Sequence, residues 1–189
     1  LAAFSVFAGQ NPGGRRPEAE SGLNQRIRNV HQASAWLEGL INFERGSSYA
    51  AARLDLGPIR RLLARLGNPE KSLSIVHVAG SKGKGSTCLL AEAILTAAGE
   101  RVGTFTSPHL ENWSERFRIG GQEAEGRLLA EAVEGVRPHV EALRDEDPES
   151  APTFFDATTA SALLLFARAG VSRVLLEVGL GGRLDSTNA

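Results

Sequence analysis

The sequence predicts an α/β fold, a phosphate-binding-loop (P-loop) domain in which a mostly parallel sheet is flanked by helices. Three observations carry it. The apolar run Ser74-Ile75-Val76-His77-Val78-Ala79 breaks into Gly80-Ser81-Lys82-Gly83-Lys84-Gly85 and then enters a helical pattern. A second apolar strand, Val102 to Thr106, follows that helix at once and makes a strand–helix–strand unit with parallel pairing expected. A third strand, Ser172 to Val178, is apolar up to a single carboxylate at its far end, Glu177.

The elements follow from punctuation. Gly9 to Gly22 is polar and broken by Pro and Gly, so residues 1–23 read as a disordered leader and order is expected from Asn24. A first helix to about Ile41 places Ile27, Val30, Leu37 and Ile41 on one side, with Trp36 beside them. Pro58 suits a first helical position, and Ile59, Leu62, Leu63 and Leu66 follow at helical spacing before Gly67. After the strand from Leu73 to Ala79, the next helix has the apolar set Leu89, Leu90, Ile94 and Ala97 and closes at Gly99. Ser107 to Trp113 has no period and reads as a loop. Glu115 to Ile119 reads as a short strand before the Gly120-Gly121 turn. Leu128 to Leu143 predicts a helix bent at Pro138, and Asp145 to Glu149 a solvated connector. A last helix, Thr158 to Arg168, turns Ala160, Leu163, Leu164 and Ala167 inward and ends at Gly170.

Composition narrows the function classes. A chain of 189 residues with 42% hydrophobic side chains is of a size to fold as one globular domain. Its net charge of −1 argues against nucleic acid as an electrostatic partner. Cys88 is the single cysteine, which excludes a disulfide framework and a cysteine-based zinc cluster and points to a reducing compartment, the cytoplasm. At its place in a helix it reads as a small core residue rather than a reactive thiol. No apolar run reaches the ~20 residues of a membrane span, so no membrane partner is expected. The chain holds no methionine and stops after a loop sequence, which predicts a piece of a longer protein.

The glycines and lysines at 80–87 carry the first chemical signal. Glycines let backbone N–H groups turn onto an anion, Lys84 supplies a point charge, and the following helix adds the positive end of its dipole. The spacing departs from the usual loop by one residue: Gly85 stands between Gly83-Lys84 and Ser86-Thr87. A plain Gly-rich turn with solvated lysines is the competing reading. Glu177 carries the second signal, because a carboxylate on an otherwise apolar strand is costly unless a cation meets it. In a phosphate-loop protein Mg²⁺ is the natural cation; Arg183 or Lys84 is the alternative.

Five ordered motifs then resemble one family: Gly80-Ser81-Lys82-Gly83-Lys84-Gly85-Ser86, Thr106-Ser107-Pro108-His109-Leu110, Glu115-Arg116-Phe117-Arg118-Ile119, Thr153-Phe154-Phe155-Asp156, and Leu176-Glu177-Val178-Gly179-Leu180-Gly181-Gly182-Arg183-Leu184-Asp185-Ser186-Thr187-Asn188. They look like the motifs of folylpolyglutamate synthase and dihydrofolate synthase, within the ATP-dependent amide ligases that include the Mur ligases. The resemblance covers Asn24 to the end. It implies a Mur-ligase central-type domain over 24–189, incomplete at its C-terminus, with the C-terminal ligase domain absent.

The resemblance further implies that ATP phosphorylates a carboxylate of dihydropteroate or of a tetrahydrofolate (poly)glutamate, and that the amine of L-glutamate attacks the acyl phosphate. A carboxylate is a poor electrophile until its oxygen becomes a phosphate leaving group, and joining two anions needs positive charge at the point of transfer. By position, Gly80, Ser81, Lys82, Gly83, Lys84, Gly85, Ser86 and Thr87 are expected at the nucleotide, with Lys84 and Glu177 central to the chemistry. Ser107 and Glu177 are expected at Mg²⁺, and Pro108, His109, Phe154, Phe155, Asp156, Ala157 and Leu184 at the pterin side. For the two phenylalanines core packing is an equal alternative, and His109 could instead cap its loop. The family's remaining metal ligand, a histidine, is expected beyond Ala189.

Two departures stand out: Ser81-Lys82 replaces the family's usual Thr-Asn, adding a cation, and Asp156 replaces the commoner Glu. The expected partners are small molecules only, the protein a monomer, and the isolated piece a nucleotide binder rather than a complete ligase. A Mur-type ligase acting on another acid, or a nucleotide-binding module without ligation, remain alternatives.

Overall fold

The computed structural model describes residues 26–43 and 55–189; the expected leader at 1–23 and the start of order at Asn24 lie outside the described residues. Five strands form one sheet in the order β1-β5-β2-β3-β4. They are β1 Ile75–Val78, β2 Val102–Phe105, β3 Phe117–Ile119, β4 Gln122–Glu123 and β5 Arg173–Glu177. β5 lies between β1 and β2 and is parallel to both, whereas β2–β3 and β3–β4 are antiparallel. The sheet is therefore mixed rather than mostly parallel. The physical reason is two reversals: the 106–116 segment turns β3 back along β2, with Thr106 N donating to Arg116 O at 3.0 Å, and the Gly120-Gly121 turn, where both residues take positive φ, folds β4 back on β3. The expected strand–helix–strand unit is present, but its two strands do not pair: β5 fills the gap between them.

The helices divide unequally between the two faces. On one face lie α1 Val30–Glu38, α2 Gly57–Arg65, α4 Gly126–Glu146 and α5 Phe154–Ala169, packed on Phe105, Phe117, Val174 and Leu176. On the other, α3 Lys84–Ala97 stands alone over Val102 and Leu175. The alternation of Val174, Leu175 and Leu176 between the faces is the period of two expected of a central strand. α5 is the core helix, buried from Ala157 through Phe166.

Several boundaries differ from expectation for identifiable reasons. α1 starts later, because the Asn29 side chain accepts from Gln32 N at 2.9 Å and caps it, and it stops at Gly39, so Ile41 is exposed. α5 begins four residues early on a capping box: Thr153 Oγ1 accepts from Asp156 N, and the Asp156 carboxylate accepts from Thr153 N. α4 extends beyond both expected ends and runs on through Pro138. In α3 the buried side chains are Cys88 and Glu92, with Ala91 and Leu95 packed beside them, while Leu89, Leu90 and Ile94 face outward. The sheet accepts only one narrow side of this helix, so the apolar set read from the sequence is not the inward one. Asp145 to Glu149 is exposed, as expected, although the helix reaches into it.

Candidate active site

The ends of three parallel strands bring the glycine-rich loop at Gly80–Gly85, Ser107 and Glu177 together. β1 runs into Ala79 to Gly83, and Gly83 takes φ +74° as the residue that starts α3, a conformation glycine adopts without steric cost. The first N–H groups of α3, at Lys84, Gly85 and Ser86, have no intrahelical carbonyl to bond. The first closed turn is Thr87 N to Gly83 O at 2.9 Å. The Thr87 hydroxyl is turned back onto the same carbonyl at 2.8 Å, so its proton is spent on the helix start. The Lys84 stem folds over the loop, with Cγ 3.7 Å from the place a Cβ on Gly80 would occupy. Ser81, Lys82 and Ser86 are exposed.

Gly85 explains the extra residue in the loop. A Cβ there would stand 3.2 Å from Glu177 Oε2, so its absence lets the helix start lie directly against the carboxylate. Glu177, only 5% exposed, accepts the Ser107 backbone N–H at 2.9 Å through that same oxygen. Among the described residues it forms no ion pair with Arg183 or Lys84, the alternative left open by the sequence. The Ser107 hydroxyl is buried beside it without a hydrogen-bond partner. A hydroxyl and a carboxylate are oxygen donors of the kind a hard divalent cation takes, and an orphaned buried hydroxyl is costly until something meets it. These two residues fit a cation such as Mg²⁺. Among the described residues no cluster of three His, Cys, Asp or Glu side chains adds to the pair.

The expected acceptor side divides into a surface and its support. Pro108 is exposed, and His109, Phe155 and Leu184 are half-buried. Phe154, Asp156 and Ala157 are buried. His109 is held through Nδ1, which accepts from Arg116 Nε at 2.9 Å, and the Arg116 guanidinium lies 5.3 Å from the Phe154 ring centre. Arg116 is itself fully buried and links the loop after β2 to the start of α5. The sequence names Arg116 only as part of a motif; its place between Trp113 and Phe117 is the signal available there. Burial pushes the Asp156 carboxyl above its ordinary value, with the Asp185 charge adding to it, while hydrogen bonds from Ser186 and Thr153 act in the opposite direction.

Cys88, beneath the helix start, is buried; desolvation first, then the charges of Glu177 and Glu92, push its thiol up to about 11. That is the reverse of a reactive cysteine.

With this geometry the chain can be set against known proteins. No protein-family model matches it. It is 41% identical over 157 residues to the dihydrofolate synthase/folylpolyglutamate synthase of Bacillus subtilis, an alignment covering 82% of this chain and 35% of that protein. The chain belongs to that family. Among solved family structures, Escherichia coli FolC in complex with DHPP and ADP is 38% identical with a TM-score of 0.69, covering 82% of this chain and 35% of that one. A bifunctional folylpolyglutamate synthase/dihydrofolate synthase with Mn, AMPPNP and L-glutamate bound is 37% identical, with a TM-score of 0.72 and coverage of 88% and 37%. The chain thus spans about a third of the length of its folylpolyglutamate synthase relatives, and the five-stranded mixed sheet with its helices matches the family fold.

Proposed function

We propose that this chain is the nucleotide-binding part of an ATP-dependent ligase that joins L-glutamate to a folate-type acid, dihydropteroate or a tetrahydrofolate (poly)glutamate. The observation that carries it is the meeting of the α3 start, the orphaned Ser107 hydroxyl and the Glu177 carboxylate at the ends of three parallel strands, which is where ligands bind in open α/β sheets. Relatives solved with ADP, with AMPPNP and Mn, with DHPP and with L-glutamate support the choice of ligands.

Bound ATP with its divalent cation supplies a transferable phosphoryl group and offsets the charge that builds between two anions. The chain's own residues prepare for this. The N–H groups of Lys84 to Ser86 and the Lys84 ammonium bind and orient phosphate oxygens, while Gly80 to Gly83 bring the backbone close. Ser107 Oγ and Glu177 hold the cation, and the Ser107 N–H keeps the Glu177 carboxylate turned toward the phosphate loop. Pro108, His109, Phe155 and Leu184 offer the surface for a flat heterocycle, and Phe154, Asp156 and Ala157 support it from below. Lys82 adds a second cation at the rim of the loop.

The experiment is ATP turnover by the full-length protein that contains this chain, with Mg²⁺, L-glutamate and either dihydropteroate or tetrahydrofolate, following the ligated product by mass. Glutamate-dependent product with either acceptor is expected. ATP binding without product from either acceptor overturns the reading in favour of another acid substrate or a non-catalytic module.

A further inference from the structure

The Asp185-Ser186-Thr187 turn has no role in the site as described, yet two of its three side chains bond to distant elements of the chain, Ser186 to α5 and Thr187 to β1. Ser186 Oγ donates to Asp156 Oδ1 at 2.6 Å, at the start of α5. Thr187 Oγ1 lies 2.8 Å from Nε2 of His77, on the strand that feeds the phosphate loop. The Thr187 hydroxyl donates to Asp185 Oδ1, so its proton is committed there and it accepts from His77. Asp185 holds the turn itself, taking Thr187 N on Oδ1 at 3.0 Å and Leu180 N on Oδ2 at 2.7 Å. Asp156, Asp185 and Thr187 are all buried.

We propose that the Asp185-Ser186-Thr187 turn is a latch that fixes the acceptor wall at the start of α5 relative to the strand entering the phosphate loop, making Ser186 and Thr187 positioning residues for the transfer. Its chemical meaning rests on the ligase reading above; its geometry does not. The two ends of the latch serve different ligands. Asp156 follows Phe154 and Phe155 directly, and Phe155 packs on the same loop so tightly that a Cβ on Gly179 would fall 2.5 Å from its Cζ. His77 precedes Gly80 by three residues. Among the described residues no backbone hydrogen bond joins β1 to α5; beside the side-chain packing of α5 on the sheet, β5 and this turn are the hydrogen-bonded connection between the two ligand sites. A transfer between two bound molecules depends on that register, and a displacement of about 1 Å can cost about a hundredfold in rate.

The test uses the full-length protein and the variants Ser186→Ala, Ser186→Thr and Thr187→Val, with two independent readouts. In steady-state and binding measurements, Ser186→Ala is expected to lower kcat by about 10–100-fold while the dissociation constants of ATP and of the acceptor each move less than about threefold. Ser186→Thr, which keeps the hydroxyl, restores kcat. In hydrogen–deuterium exchange without ligands, Ser186→Ala is expected to speed exchange at residues 153–157 and also at 75–80, and Thr187→Val to do the same from the other end. A purely local structural role would loosen only the segment nearest each substitution. Exchange confined to one segment in both variants, or an unchanged kcat in Ser186→Ala, overturns the latch. Should the unsubstituted protein form no glutamylated product, the ligase reading falls, and the latch is decided by exchange alone.

Discussion

Glu115 takes three backbone N–H groups onto one carboxylate, from Asn112 at 2.6 Å, Leu110 at 2.8 Å and Glu111 at 3.0 Å, and so shapes the loop that carries Pro108 and His109. Those bonds, Asn112's foremost and Leu110's next, hold its carboxyl below the ordinary carboxylate range. Because the folded value lies below the unfolded one, the added loop stability is present above the ordinary range and is lost as the pH falls through the lowered folded value. Glu115→Gln is expected to reduce amide protection at residues 110–112 at neutral pH and to abolish the acid-side loss, as read by NMR exchange across a pH series. Lys84→Ala in the full-length protein is expected to lower turnover by about 10²–10³, the scale of losing one preorganised transition-state donor; an unchanged rate would remove Lys84 from the mechanism. At this scale the anomalies were legible in the sequence. Glycines beside lysines and a carboxylate on an apolar strand break local rules, and they do so for a reason. Ser186 and Thr187 break none: hydroxyls in a turn look solvated, and only the long-range fold shows that theirs point inward.

Among the elements, α5 meets the sheet at very close range. A Cβ on Gly103 of β2 would fall 2.7 Å from Cδ1 of Phe166, so the helix lies as close as it does only because that strand position is bare. Gly103→Ala is expected to destabilise the fold by about 1–3 kcal/mol through overpacking, measurable as a lowered urea midpoint with an unchanged slope. Pairing it with Phe166→Leu should recover part of the loss. The start of α5 was written in the sequence as Thr153-Phe154-Phe155-Asp156, a capping box with Asp at its third helical position. Hydrophobic period alone predicts a start at Thr158, because Phe154 and Phe155 stand before the regular apolar spacing begins. α3 shows the opposite limit. Its sequence is apolar on two sides, and periodicity alone cannot say which side meets the sheet.

At the scale of the whole chain, among the described residues the sheet ends on one flank at β1, an edge strand with Ile75 and Val76 exposed, and α3 leaves Leu89, Leu90 and Ile94 exposed. At 66% and 69% exposure, Leu90 and Ile94 form an exposed apolar i, i+4 pair on α3, an arrangement that favours association with another surface. The 189-residue chain on its own is expected to self-associate in analytical ultracentrifugation, and Leu90→Lys with Ile94→Glu to shift it toward monomer. An unsubstituted chain that sediments as a monomer at high concentration would refute this. The α/β class and the strand–helix–strand core followed from the sequence, since they depend on local pattern. Strand order did not, because the pairing of β1 with β5 joins residues about a hundred positions apart that no local window contains, and the short strand and turn at 115–121 carried no sign that they would pair antiparallel to β2.

That order carries a consequence for synthesis. Of the five described strands, β5, which joins β1 to β2, is made last, so both partners wait with open edges while α3, the hairpin, α4 and α5 are being made. β1 and β2 therefore cannot be joined through β5 until Glu177 has emerged, and open strand edges of that kind are exposed to wrong pairing in the meantime.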